Sequence, residues 1–287
     1  CAGAFILGLT AAAMQQIRFA AMECVPADDG PTAASIILCA GVIAAFLGPE
    51  LALAGKSLTA IDYQGSFWLG AGCLLVAGVL LLGYTPKKVV AAAPKTVKTT
   101  NATLLSNPGF LLAITAGASA YVVMAFVMTA TPISMHMHHG HSLEDAKWVI
   151  QSHIAAMFLP SLIAPWLIRM LGIRGLMVAG LGCYATTITI GLIDASVLGF
   201  WGQLVMLGIG WNFLFLSGTA LLPTTYNEGE GFKAQSLNDS VIFASQAVAS
   251  LSAGWAISTV SWGALLLLCL APMVLLAGLL VKQRGNI

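Results

Sequence analysis

Apolar stretches of about 20 residues recur along the whole chain, and this repetition constrains the fold more than any single motif. A helix rises about 1.5 Å per residue, so each stretch is long enough to cross the roughly 30 Å of hydrocarbon in a bilayer. Only 8% of the residues are charged and 59% are hydrophobic, which leaves too few polar side chains to cover a water-soluble globule of 287 residues. The sequence therefore predicts an all-α integral membrane protein. The predicted spans are residues 1–22, 31–55, 65–84, 110–134, 148–171, 175–193, 197–222, 234–260 and 263–281.

The distribution of lysine and arginine predicts the orientation of these spans, because cytoplasmic loops collect both residues. If the stretch after the third span is cytoplasmic and the sides alternate, only Lys56 and Lys147 fall outside. The chain then ends inside, and it lies in the inner or plasma membrane as a multi-pass protein. The residues on the cytoplasmic side are Arg18, Lys87, Lys88, Lys95, Lys98, Arg169, Arg174, Lys233, Lys282 and Arg284.

One connection is longer and more polar than the others, and it predicts a division into two bundles. Residues 85–109 are basic and contain three prolines, which is typical of a linker. Three predicted spans precede this linker and six follow it. We therefore predict part of a first bundle over residues 1–84, a cytoplasmic linker over 85–109 and a six-helix bundle over 110–287. If both bundles have six helices, three helices precede the first residue of this sequence.

This arrangement resembles the major facilitator superfamily, in which two six-helix bundles are joined by a long basic cytoplasmic loop. The glycine run of its fifth helix is similar to Gly41, Gly48-Pro49 and Gly55, and "RMLGIRGLM" is similar to its turn between helices eight and nine, without the acid usual there. "MHMHHGHS", "GIGWNFLFLSGTALL" and "AQSLNDSVIFASQAVASLSAG" resemble a bacterial subgroup of permeases. The resemblance covers helices four to twelve of twelve and implies a transporter fold, with no substrate attached to the subgroup.

The pair Gly48-Pro49 interrupts an apolar span and is the first candidate hinge. Proline removes a backbone donor and bends a helix, while the glycine lets a neighbouring helix approach closely. The functional interpretation is that this bend helps two halves to seal and reopen around a central cavity. The alternative is a static kink. Pro160 and Pro165 in the fifth predicted span pose the same choice.

Three ionisable residues inside predicted spans are candidates for proton coupling, since a charge at the centre of a spanning helix costs about 2.5–3.5 kcal/mol on insertion scales. They are Asp239, Arg18 and Glu50. Protonation would remove this cost for a carboxyl group, so Asp239 could change its protonation as a cavity opens and closes. The alternative for Asp239 is an ionised acid at the helix mouth, paired with Lys233.

The other two candidates also have ordinary explanations. Arg18 resembles the fourth-helix arginine of many drug and proton antiporters, although the wider antiporter motif is not matched. Its long stem could instead snorkel to the interface toward Glu23. Glu50 could be a proton or cation site beside the proline, or a solvated acid near the outer face.

A substrate cavity requires polar and aromatic side chains at mid-depth on several helices. The sequence offers five candidates for this role, and packing between helices is the alternative for each. They are Tyr121, Met124, Trp211, Asn212 and Gln246.

The segment "HMHHGHSLEDAK" gathers His136, His138, His139 and His141 in one predicted outer loop. Histidines at this spacing could bind a divalent metal or sense external pH. A plain polar turn is the simpler interpretation, because a short loop that contains glycine offers little fixed geometry. We therefore predict no metal site, and we keep a metal or cation exporter as an alternative function.

The remaining observations select among function classes. The chain has no clustered catalytic set, and the phosphate-binding motif of an ATP-driven pump is absent from the sequence. We predict a non-enzymatic secondary active transporter that moves a small solute by alternating access, with proton coupling as a hypothesis. A drug and proton antiporter is a further alternative. The prediction includes no cofactor and no nucleic-acid partner, and it describes a monomer whose partners are the lipid bilayer, a small-molecule substrate and protons.

Overall fold

The computed structural model describes residues 2–83 and 100–283, which are helical throughout except for short connections. The side chains of Ala2, Ala4 and Pro49 are not described. Most of the predicted linker and the basic residues at 87–98 and 284 lie outside the described ranges. The helices are α1 Ala2–Glu23, α2 Gly30–Lys56, α3 Gln64–Leu82, α4 Asn101–Ser106, α5 Pro108–Ile133, α6 Leu143–Phe158, α7 Ala164–Ile193, α8 Val197–Leu221, α9 Gly231–Thr259, α10 Trp262–Leu268 and α11 Leu270–Lys282.

The end of the predicted linker differs from the prediction, because helical structure begins before residue 109. Thr100 caps α4 by accepting a hydrogen bond from the backbone of Thr103. Asn107 caps α5 in the same way, and Pro108 occupies the first turn, where no helical donor is lost. The capping residues therefore move the start of the second bundle toward the linker by a few residues.

Eight helical segments within the described residues are long and apolar enough to cross a membrane. The fifth predicted span is missing from this set because prolines interrupt it. Helix α6 ends at Phe158, Pro160 lies in a 3-10 turn over Leu159–Leu162, and Pro165 opens α7. Helix α7 then covers the rest of the fifth predicted span and the whole of the sixth, which meet at Gly172. The positive φ of 69° at Gly172 forms the tight turn there.

Helix α8 is the most deeply packed element, and it contacts α5, α6 and α7. Its glycines allow this close packing. A Cβ atom at Gly208 would come within 2.7 Å of the carbonyl oxygen of His153 on α6, and one at Gly218 within 2.7 Å of the carbonyl oxygen of Ala113 on α5. Contacts between small residues are a usual way to hold helices together in lipid. Helices α5–α8 therefore form a closely packed group, which we call the α5–α8 group.

We call the end of the molecule where α1 and α3 stop and α5 and α9 start the linker end. Helix α1 is packed near this end and exposed at the other. Phe5 and Leu9 are more than half exposed, whereas Arg18 and Phe19 are 2% exposed. Helix α2 behaves similarly, with Ala34 fully buried and Phe46 60% exposed. The first two helices therefore approach the second bundle mainly through their linker-side halves.

Candidate functional site

A buried ion pair joins α1 of the first bundle to α9 of the second. Nη2 of Arg18 lies 2.5 Å from Oδ1 of Asp239, and the two side chains are 3% and 10% exposed. The backbone of α1 packs against α2, so the connection to α9 runs through long side chains. Two residues predicted separately as coupling candidates therefore form one site.

Further polar groups complete the environment of the pair. Gln16 donates a hydrogen bond of 2.7 Å to Oδ2 of Asp239, and Asn238 donates one of 3.0 Å to Oδ1. Arg18 also donates to the side-chain oxygen of Gln15 at 2.8 Å. Because the charges neutralise each other and most lone pairs are satisfied, the site reduces the cost of holding ions away from water. The interfacial position considered for Arg18, near Glu23, is not adopted.

Aromatic rings surround the guanidinium of Arg18. Its central carbon lies 4.5 Å from the ring centre of Phe19 and 4.6 Å from that of Phe215 on α8. Flat, weakly hydrated guanidinium groups stack favourably on such faces. The rings fix one side of the arginine while Asp239 fixes its donor edge.

Tyr121 lies at the centre of a larger aromatic cluster beside the ion pair. Its ring makes edge-to-face contacts with Trp211, Phe215 and Phe243 at centroid distances of 5.1–5.3 Å. Phe158 contacts the far side of Trp211 at 5.7 Å. The indole nitrogen of Trp211 is buried and has no hydrogen-bond partner among the described residues, so the cluster holds an unused donor.

The other three predicted cavity residues have different surroundings. Asn212 donates to the carbonyl oxygen of Met157 at 2.8 Å and to the hydroxyl of Ser161 at 2.6 Å, so its amide nitrogen connects α8 to the α6 region. Met124 is buried in the core. Gln246 is half-buried and follows Asp239 by seven residues, which places both on one face of α9. The contacts of Asn212 are those of the packing alternative.

Comparison with known proteins identifies the family. The chain is 30% identical over 297 residues to the uncharacterised MFS-type transporter YddS of Bacillus subtilis, which covers 94% of this chain and 67% of that protein. It is 31% identical over 303 residues to YdeG of the same organism, an MFS-type transporter that is also uncharacterised, with 98% and 69% covered. The chain belongs to the major facilitator superfamily (MFS) of transporters.

A third relative from the MFS is named after a substrate. The riboflavin transporter RfnT of Brucella anthropi is 36% identical over 272 residues, which cover 91% of this chain and 66% of that protein. The chain thus spans about two-thirds of the length of these relatives. No family model matches it. Membership confirms the predicted resemblance and the all-α membrane class, and it places the chain in a family of transporters rather than of enzymes.

The predicted hinge at Gly48-Pro49 makes no close helix contact among the described residues of this MFS chain. Helix α2 continues through both positions, Gly48 is exposed, and a Cβ atom there would meet no described atom within 4 Å. Glu50 is also exposed. The close approach lies earlier in α2, where Gly41 packs against the ring of Phe158. The role of Gly48-Pro49 stays a prediction.

The histidine segment of the MFS chain folds onto its neighbours. Residues Ser134–His138 extend α5 as one π-helical turn, so the predicted loop is shorter than expected. His141 donates from Nε2 to the carbonyl oxygen of Ala195 at 2.8 Å, and His139 contacts the ring of Phe200. Within the described ranges no three His, Cys, Asp or Glu side chains are arranged to hold a metal ion.

A second contact between the bundles, which was not predicted from the sequence, lies closer to the linker end. Gln235 of α9 donates to Glu23 of α1 at 3.2 Å and to the hydroxyl of Tyr226 at 3.0 Å. These side chains line a cavity of about 570 Å³ between the bundles. The run "QQIR" in an apolar helix was a usable signal for the contacts of α1. Gln235 and Tyr226 have no comparable signal because they lie near a helix start.

Proposed function

We propose that the chain is the larger part of a secondary transporter that moves a small solute by alternating access between its two bundles. The buried Arg18–Asp239 pair is the observation that carries this proposal. A charged pair between two bundles is a contact that can form and break as they move. Opposite charges buried together favour the closed arrangement, because separating them without water would leave each charge unpaired.

The contacts between the two bundles indicate which end of the molecule is closed in this structure. Contacts between the bundles concentrate at the linker end, through Arg18–Asp239 and Glu23–Gln235. We infer a form closed at the linker end. With the positive-inside distribution of lysine and arginine, this end is the cytoplasmic one, so the form is closed toward the cytoplasm, where the linker and the C-terminus lie.

Proton coupling is the finer part of the proposal. A proton on Asp239 would neutralise the carboxylate and weaken its attraction to Arg18, so protonation favours opening at the linker end. The hydrogen bonds from Gln16 and Asn238 would have to adjust, since both donate to carboxylate oxygens. Binding of one proton to Asp239 is therefore linked to breaking its contact with Arg18 and to opening of the linker end.

For the substrate we propose a flat heteroaromatic solute of the flavin class. Two observations support this proposal: the relative named as a riboflavin transporter, and the rings of Tyr121, Trp211, Phe158 and Phe243 beside the ion pair. Aromatic side chains stack on flat ring systems, and the free indole donor of Trp211 could bind a ring carbonyl. The alternative of a metal exporter has no such support, because the described residues contain no cluster of metal ligands.

Transport by the complete gene product in proteoliposomes tests these proposals. Riboflavin entry should be saturable and should respond to an imposed pH gradient, and Asp239→Asn should remove the response to pH. Glu144→Gln at the opposite end is the charge-matched control, because Glu144 is exposed and should leave uptake unchanged.

The outcomes separate the parts of the proposal. Saturable riboflavin uptake that ignores the pH gradient, and is unchanged in Asp239→Asn, would contradict proton coupling. Absence of riboflavin uptake would contradict the substrate class. A thermal-shift screen against other solutes then tests the carrier itself, since a ligand at 100 times its dissociation constant stabilises a protein by about 2.7 kcal/mol.

A further inference from the structure

Arg174 lies against a cavity that is distinct from the contact between the bundles. It follows Gly172 by two residues, where α7 turns at the linker end. The cavity has a volume of about 270 Å³ and lies between α7 and α11. Apart from Arg174 and Gly175, its lining is apolar and consists of Val178, Leu181, Ala277, Leu280 and Val281.

The guanidinium of Arg174 presents an unused edge. Its Nε and Nη2 atoms are shielded from solvent, and neither has a hydrogen-bond partner among the described residues. These two nitrogens lie on the same side of the planar group, so their N–H bonds form a fork that matches two oxygens of one phosphate or carboxylate. Buried donors of a charged group are costly to leave unpaired. The geometry thus calls for an oxyanion.

The described residues nearby do not supply that oxyanion. The segment "RMLGIRGLM" contains no acid, and Lys282 ends α11 at the same level. Arg169 precedes the turn and adds a further positive charge near this end. The surroundings therefore favour a ligand that brings its own negative charge.

The position of the cavity indicates where such a ligand comes from. Val178 and Val281 at its rim are about 60% exposed, and Val274 on the same helix, α11, is 67% exposed. Apolar side chains exposed on spanning helices face lipid. The cavity thus opens on the surface that faces the bilayer, with its charged group at one end of two helices, where phospholipid headgroups lie.

We propose that this cavity is a binding site for an anionic phospholipid in the leaflet at the linker end. The edge of Arg174 binds the phosphate oxygens, and the acyl chain lies along the apolar side chains of α7 and α11. Basic pockets between spanning helices bind acidic headgroups through this combination of charge and apolar surface. A zwitterionic lipid gains less, because no acid of the described lining would pair with its ammonium group.

Lipid binding to the complete gene product in detergent tests this proposal. Phosphatidylglycerol should remain bound in native mass spectra and raise the thermal unfolding temperature more than phosphatidylcholine does. Arg174→Gln should weaken phosphatidylglycerol binding by about tenfold or more, because two charge-assisted hydrogen bonds are lost. Lys147→Gln removes one charge at the opposite end and should change nothing, since Lys147 is exposed there.

A second variant tests the groove without touching the arginine. Val178→Trp should fill the cavity and reduce phosphatidylglycerol binding with Arg174 intact, which keeps the test valid if Arg174→Gln does not fold. Equal binding of both lipids would overturn the proposal, and so would retention of phosphatidylglycerol in both variants. Stabilisation by millimolar inorganic phosphate that equals the effect of the lipid would also overturn it, in favour of a free-phosphate site.

Discussion

Removing the charge of Asp239 should open the linker end of the molecule. Asp239→Asn keeps the size of the side chain but leaves Arg18 buried beside a neutral amide. Removing one partner of a buried ion pair costs about 3–5 kcal/mol. If the closed state alone bears that cost, the equilibrium shifts toward opening by about two to three and a half powers of ten, at about 1.4 kcal/mol per tenfold.

Thiol reactivity at Ala220 measures this opening. Ala220 is 5% exposed and lines the cavity between the bundles, so a cysteine placed there is shielded in the closed form. In a background without native cysteines, Ala220→Cys should react slowly with a membrane-impermeant reagent added from the linker side. Adding Asp239→Asn should raise the rate toward that of a fully open cavity.

The double variant distinguishes charge balance from packing. Arg18→Met with Asp239→Leu removes both charges, and such replacements of buried pairs are often neutral or stabilising. We expect low reactivity at position 220 to return while the response of transport to pH stays lost. Equal reactivity in the parent protein and in Asp239→Asn would refute the argument that the ion pair holds this end closed.

Two further predictions concern α2 and α6. Gly41→Leu should impair transport because its side chain would overlap the ring of Phe158, whereas Gly48→Ala should be tolerated because its Cβ atom meets open space; equal loss in an uptake assay would favour the sequence-predicted hinge instead. Hydrogen bonds from Ser142 hold the pKa of Asp145 below its usual range at the start of α6. Their contribution to stability is therefore present above the unfolded pKa, about 3.9, and is lost as pH falls through the folded value. Ser142→Ala should flatten the acid side of a thermal-unfolding profile measured against pH, and an unchanged profile would contradict this linkage.

The positions of the helices could be predicted from the sequence because lipid imposes a simple length requirement on every span. Prolines also indicated where one span would be interrupted, since Pro160 and Pro165 flank the break after α6. The turn between the fifth and sixth predicted spans was also expected, at residues 172–174, but the backbone conformation of Gly172 could not be read in the same way. Glycine adopts positive and negative φ about equally readily, so its presence at position 172 does not predict a positive φ.

The candidate site was harder to predict because its members are distant in sequence. Arg18 and Asp239 are 221 residues apart, and no local pattern indicates that they meet. Their opposite charges at similar depths were the available signal, since buried charges usually pair. Asn212 shows the opposite difficulty. A polar group in a span needs a partner, but the sequence around Asn212 does not show whether that partner is a substrate or the carbonyl oxygen of Met157 on α6.

The type of contact distinguishes the parts that stay together from those that move. Within the second bundle, backbones approach closely at Gly208 and Gly218, and water cannot replace such contacts. Between α1 and α9 the contacts are hydrogen bonds and an ion pair at the ends of long side chains, and water entering an opening cavity can take over each of them. Opening therefore costs much less along α1 and α9 than within the α5–α8 group. That difference favours movement of whole bundles over rearrangement inside either one.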